Sequence, residues 1–443
     1  MAGRSNTERA GNRVLVVSEY FWPDEAGTGR YLGELVARVA ADHPDLSFDV
    51  LTSRRLYRSS GERATQRLAS RDTLGQVAIR RVRSLRSGAD SFARRLLADM
   101  AFSVREAAEI LVRRYDALLV VTNPPLMPLV AGLAARCRRV PLVYLIHDLY
   151  PDVPVALGLW PASSSAVSLM HRVQRSILRS ACAVVVLGRC MHDHVIEVYD
   201  VPESRIRVIP HWPTAFAAPG PADGGADAAQ PPAHASRRPL PPDPFTVLYS
   251  GNLGRFQDFD TLLGAAELLR DRPDVHFRIA GDGARRAYVE REITQRGLTN
   301  VELTGFVSEA VFAAQLAATA LGIVSLEPQL EGIGVPSKSY NLLGAGVPLV
   351  AVMSQRAEIA RVVAETGCGV RIDHGASDDL ARQIGELAND PERWRRMSAA
   401  AMDYVEGQGG LGHAAAAYGE VLARCAAAGR SSPTRARRGA ARR

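Results

Sequence analysis

At 443 residues and 47% hydrophobic content the chain can hold two domains with a core each, which excludes disorder throughout. The net charge of +7 is carried almost wholly by arginine and, without RNP-like or zinc-finger patterns, argues against nucleic acid as a partner. Five cysteines, Cys137, Cys182, Cys190, Cys368 and Cys425, form no CxxC pair and predict reduced thiols in a cytoplasmic protein.

Residues 1–12 are polar and read as a disordered N-terminus without a signal peptide. Residues 14–18 form a β-branched run, followed by the turn around Gly27, Thr28 and Gly29 and by Tyr31, Leu32, Leu35, Val36 and Val39 at helical spacing. This strand, glycine loop and helix resembles a nucleotide-type opening, although the third glycine of a dinucleotide fingerprint is missing. A second strand follows at 48–52. Residues 54–115 are the least regular part, and there Phe92, Leu96, Met100 and Val104 recur every four positions beside Arg94, Arg95 and Arg105. Such a helix over 92–105 either rests on an anionic membrane or turns its stripe to the core. Residues 117–135 are broken by prolines and too short in their apolar run to span a bilayer.

Continuous apolar runs at 116–121 and 142–146 predict buried parallel strands, the second ending in His147 and Asp148. Ligands of open α/β sheets bind beyond the carboxyl ends of strands, so this pair is placed for chemistry, though a structural cap explains it nearly as well. Cys190, His192 and His194 lack a second ligand cluster, and no metal is expected. Strands at 183–187 and 207–209 complete a first domain spanning 13–216, and residues 217–244, rich in Ala, Pro, Gly and Asp, read as a low-complexity linker.

The second domain, 245–405, repeats the plan: a strand at 246–250, the loop Gly251, Asn252, Leu253, Gly254 and Arg255, then a helix. Asp258 and Asp260 at that helix start read as caps rather than metal ligands. Strands at 276–280, 301–304 and 320–326 lead to Gly281 and Gly283, to Phe306 and Val307, and to the stretch EGIGVPSKSYNLLGAGVPLVA at 331–351. That stretch holds the protein's one lysine, Lys338, against 53 arginines. It either marks a place where a compact ammonium suits and a planar guanidinium does not, or survives by chance. Gly332, Gly334, Pro336 and Ser337 ahead of a short helix suit a diphosphate. A strand at 349–352, a C-terminal helix at 406–428 and a basic disordered tail at 429–443 end the chain. Alternating strands and helices in both halves predict an α/β protein of two doubly wound Rossmann-like domains facing a cleft.

The landmarks SEYFWPDEAGTGRYLGELVARVA, VVTNPPL, HDLYPDVPVALG, VIPHWP, LYSGNLGR, IAGDG, NVELTGFV and PSKSYNLLGAGVPLV, in this order between residues 18 and 350, carry a family likeness. With them the chain resembles retaining GT-B glycosyltransferases of family 4, and within these the bacterial polysaccharide and fucosamine-type enzymes. The resemblance implies transfer from a UDP- or GDP-sugar to a lipid-linked or glycan acceptor, without cofactor or required metal. It implies His147, Asp148, Arg255 and Lys338 as catalytic residues. Gly251, Asn252, Gly281, Gly283, Phe306, Val307, Ser337, Lys338, Tyr340 and Asn341 would bind the donor, and Gly27, Thr28 and Gly29 would form an acceptor or diphosphate loop. Asn341 stands where many relatives carry a ribose-binding glutamate, and Glu331 lies ten residues before it instead of eight. Expected partners are the donor, the acceptor and, through 92–105, the inner face of the plasma membrane. A nucleotide-sugar epimerase of the same architecture and a non-catalytic assembly component are the alternative readings.

Overall fold

The computed structural model describes residues 11–24, 27–54, 68–83, 92–124, 126–214, 238–255 and 257–430, with backbone alone at 92–96, 309 and 430. Gly11 and Asn12, expected in a disordered N-terminus, are ordered: Asn12 opens the first strand and donates its backbone N–H to Asp45 O at 2.7 Å. Of the expected linker, residues 217–237 lie outside the described residues. In the remainder Arg238 donates to Thr319 O and Leu316 O, fastening the chain ahead of the second domain. Of the expected basic tail, 431–443 lie outside the described residues, while Gly429 and Arg430 end a helix.

In the first domain the elements run β1 (Asn12–Val17), α1 (Gly27–Asp42), β2 (Leu46–Ser53), β3 (Arg71–Leu74), β4 (Val77–Val82), α2 (Phe92–Val112), β5 (Ala117–Val121), α3 (Met127–Arg138), β6 (Leu142–Ile146), α4 (Asp152–Ala156), α5 (Ser165–Ser180), β7 (Ala183–Val186), α6 (Arg189–Tyr199) and β8 (Ile206–Val208). Their sheet order is β3-β4-β2-β1-β5-β6-β7-β8, parallel except for β3. β5 and β6 are buried along their whole length, as the apolar runs ALLVV and LVYLI covered by helices on both faces must be. β4 alternates instead, with Val77 and Ile79 inward.

The second domain continues with β9 (Phe245–Asn252), α7 (Phe259–Leu268), β10 (Val275–Asp282), α8 (Arg286–Arg296), β11 (Val301–Thr304), α9 (Glu309–Ala317), β12 (Leu321–Ser325), α10 (Lys338–Gly344), β13 (Leu349–Val352), α11 (Glu358–Thr366), β14 (Gly369–Ile372), α12 (Ser377–Asn389), α13 (Pro391–Gly407) and α14 (Leu411–Arg430). Its wholly parallel sheet has the order β11-β10-β9-β12-β13-β14. Asp258 caps α7 by accepting from Thr261 N at 3.0 Å, and His374 Nδ1 lies 3.0 Å from its other oxygen. Asp260 instead pairs with Arg285 and Tyr288. Trp394 of α13 is fully buried and donates Nε1–H to Ala320 O, tying the terminal helices to the sheet.

α14 leaves the second domain and packs on α1, β1, β5 and β6, so Tyr418, Val421 and Leu422 complete the core of the first. This return corrects the cysteine expectation. α14 comes to within 6.0 Å, Cα to Cα, of the lead into β7, and Cys182 and Cys425 are joined as a disulfide, while Cys137, Cys190 and Cys368 are free.

On α2 Ala98, Phe102 and Ile110 face inward, whereas Leu97, Met100 and Val104 are exposed. Of the predicted stripe, the side chains of Phe92 and Leu96 lie outside the described residues. Among the described residues no helix is long and apolar enough to cross a membrane. Glu106 of α2 is fully buried, neither carboxyl oxygen meets a hydrogen-bond partner, and burial raises its pKa well above the usual carboxylate range. Replacing an unpaired buried polar group with an apolar one of similar volume recovers about 1–3 kcal/mol. Glu106→Met is therefore expected to raise the denaturant midpoint, with the larger gain at higher pH, where ionising the wild-type carboxyl opposes folding.

Candidate active cleft

The carboxyl ends of both sheets supply the cleft. On the first wall, β6 ends at Ile146 and delivers His147 and Asp148, whose backbone N–H groups both donate to Thr122 Oγ1, at 3.1 and 3.4 Å, from the end of β5. Thr28, in the first turn of α1, places Oγ1 3.2 Å from His147 Nδ1. Gly27, Thr28 and Gly29 thus lie beside the histidine, at a helix start. His211 packs its ring 5.3 Å from that of His147 and 4.1 Å from Tyr31. Burial pushes His147 down to about 4, and burial with the neighbouring His147 pushes His211 well below the usual range, so both rings are neutral at pH 7. Asp148 is crowded by protein while still opening onto the cleft, and this desolvation raises its carboxyl to about 6.

The second domain reaches this wall through residues 331–337. Asp148 and Gly334 form an antiparallel bridge, Leu149 N–H donates to Ile333 O at 3.2 Å, and Ile333 is buried in the first domain's core. Tyr31 OH donates to Ser337 O at 3.4 Å, so Ser337 and the entry of α10 are fixed next to α1. Lys338 follows on an exposed position, with its stem against Gly251 and its ammonium 5.4 Å from the Phe312 ring centroid. α10 is only seven residues long. Arg255 is exposed in the loop after β9. Asn252, the last residue of β9, is also exposed.

Gly281 and Gly283 adopt φ of 153° and 156° at the end of β10. A Cβ on Gly281 would run into Gly251 O, and one on Gly283 would come within 2.5 Å of Leu253 O. Only glycine allows these two loops to approach this closely. Phe306 is exposed and Val307 half-buried beyond β11.

Two residues expected to bind the donor are buried. Tyr340 is fully buried in the second domain's core, where the helical phase of α10 turns it inward. Asn341 is 3% exposed, and its Oδ1 accepts from Thr214 N–H at 2.7 Å, joining α10 to the segment that leaves the first domain. That carboxamide braces the domains. Glu331 stays within the second domain, accepting from Ser354 OH and lying 3.4 Å from Arg356 Nε.

Residues passed over in the sequence complete the arrangement. Thr122 orients the His147 loop, His211 lies within the VIPHWP landmark, and Glu358 of α11 accepts from Arg189 N–H at 2.5 Å across the domains. Of the Cys190, His192 and His194 cluster, His194 lies 3.0 Å from Asp152 and His192 3.2 Å from Asp193.

Two family models match the chain, "Glycosyl transferase 4-like domain" over residues 26–212 and "Glycosyl transferases group 1" over residues 232–403. The probable glycosyltransferase WbjE of Pseudomonas aeruginosa is 28% identical over 377 residues, covering 85% of this chain and 89% of that one. The putative colanic acid biosynthesis glycosyl transferase WcaI of Escherichia coli K12 is 26% identical, covering 81% and 88%. Anabaena HepE, solved in complex with UDP-glucose, superimposes with a TM-score of 0.62 at 18% identity, over 93% of this chain and 99% of that one.

Proposed function

Because the chain belongs to the GT-B glycosyltransferases of family 4, we propose that it transfers a sugar, with retention of configuration, from a UDP- or GDP-sugar to a lipid-linked or glycan acceptor. The reaction serves cell-surface polysaccharide synthesis on the cytoplasmic face of the membrane and needs no metal. The observation that carries this reading is the convergence of Thr28, His147 and Asp148 with Ser337 and Lys338, beside the Gly251–Arg255 loop. The anomeric carbon's bond to the diphosphate breaks, its bond to the acceptor oxygen forms, and the acceptor proton leaves with the diphosphate. Lys338 and Arg255 meet the negative charge that develops on the leaving group, the largest expected catalytic contribution. Neutral His147 hydrogen-bonds a sugar hydroxyl, and Asp148 orients that side of the cleft. The UDP-glucose complex of HepE and the colanic acid role in the name of WcaI support the donor class and the pathway.

With Asp148 titrating at about 6, kcat/KM is expected to fall as pH drops through that value, and the acid limb should vanish in Asp148→Asn. Stopped assays from pH 5 to 8 check this. The reaction class is tested by incubating the protein with UDP- and GDP-sugars, with and without a lipid-linked glycan fraction, and resolving products by NMR. An α-linked product from an α-linked donor is expected only when acceptor is present. Epimerised donor without acceptor, or an inverted linkage, contradicts the proposal.

A further inference from the structure

A second concave site lies on the same carboxyl edge of the first sheet, at its outer strands. A cavity of about 320 Å³ is lined by Leu51 of β2, Ser70, Arg71 of β3, Arg80, Arg81 and Val82 of β4, and Arg105 and Glu109 of α2. Four arginines face one carboxylate. Glu109 is already engaged by Arg80, by Arg113 at 3.1 Å and by Tyr115 OH at 2.6 Å. Arg81 is 3% exposed and held by Asp72 at 2.8 Å and Trp22 O at 2.9 Å, and its Nε is buried with no hydrogen-bond partner. Burial, then the neighbouring Arg113, lower the pKa of Arg80, with Tyr115 and Asp49 opposing them and Glu109 as its ion-pair partner. Arg71 and Arg105 are exposed at the rim, the latter donating to Arg83 O at 2.6 Å.

Guanidinium groups gathered in a pocket fit a phosphate or diphosphate better than a carboxylate, because several planar forks can share its oxygens. Beside Arg105 on α2 stand Leu97, Met100 and Val104, with exposures of 61, 50 and 67%. Their continuity with the cationic pocket calls for a ligand that is anionic at one end and apolar at the other. We propose that this cavity binds the phosphate of an amphiphilic acceptor, a polyprenyl-type phosphate or diphosphate carrying the glycan to be extended, with its chain running along the α2 stripe into the membrane. The assignment rests on the glycosyl-transfer reading and names its acceptor class. Arg71 and Arg105 act as binding residues, remote from the bond-forming centre at His147.

Full-length protein is sedimented with phosphatidylcholine vesicles that contain either a polyprenyl diphosphate or a charge-matched amount of phosphatidylglycerol. Binding is expected to favour the polyprenyl vesicles at least about tenfold, to be competed by inorganic diphosphate, and to drop about tenfold or more in R71E/R105E. Arg105→Ala, milder in its effect on folding, should weaken binding in the same direction. Equal binding to both vesicles, no binding to either, or wild-type binding by both variants overturns the assignment. Thermal stabilisation by nucleotide-sugar is followed in the same samples. If it is intact while vesicle selectivity is absent, the acceptor pocket fails alone; if no nucleotide-sugar stabilises the protein, the transfer reading fails instead.

Discussion

Lys338→Ala is expected to lower donor turnover by about 10²–10³-fold, the range seen when one preorganised group facing developing charge is removed. Lys338 projects from the start of α10, its stem against Gly251, where the stretch that carries Arg255 begins. Arg255→Ala should give a loss of similar size. The double variant should lose less than the product of the two, because both cations are proposed to act on one diphosphate. Each side chain is exposed, so neither substitution should move the thermal midpoint appreciably. Steady-state kinetics with calorimetric melting separates a lost transition-state contact from a lost fold. Lys338→Arg offers a sharper contrast: it keeps the charge but replaces a compact ammonium with a fork that must fit between Gly251 and Phe312. Partial activity is expected from it.

The second large effect is on the fold. Gly281→Ala places a methyl against Gly251 O on the neighbouring strand and forces a side chain onto a φ of 153°. The backbone conformation alone costs about 1–3 kcal/mol in a residue other than glycine, and the collision adds to it because β9 is held on both sides, by β10 and β12. A loss of about 3 kcal/mol or more is expected, which lowers the melting temperature of a domain of this size by about 6–12 °C. Donor binding should weaken as well, since β9 would be displaced at the base of the Gly251–Arg255 loop. Gly297→Ala offers a control: its φ of 62° is also left-handed, but a Cβ there meets nothing within 4 Å, so the strain comes without the collision.

What was legible in the sequence follows from local physics. Unbroken runs such as residues 117–121 and 142–146 announce buried parallel strands because both faces are covered, and glycine loops after them mark the cleft edge. β4 was harder to see, since VAIRRV carries two arginines and only its alternation betrays a strand. Arg81 is buried there through partners on β3 and in the β1–α1 loop that no local pattern reveals. Long-range pairing explains the other gaps. Asn341 meets Thr214 across 127 residues of chain, and Cys425 meets Cys182 only because α14 returns to the first domain. The stretch 331–351 suggested a phosphate loop from its glycines and lysine. It did not reveal that Ile333 would be buried in the other domain, or that Tyr340 would turn inward.

On the proposed reaction, a nucleoside diphosphate is held by the cations of the second domain without a metal ion. Titration calorimetry with UDP and with GDP, in the presence of a chelator, tests it directly on the wild-type protein and on Lys338→Ala. One of the two nucleotides is expected to bind at one site per chain, and the variant to bind it at least about tenfold more weakly. Absence of binding by either nucleotide, or equal affinity in the variant, would rule out this mode of donor binding.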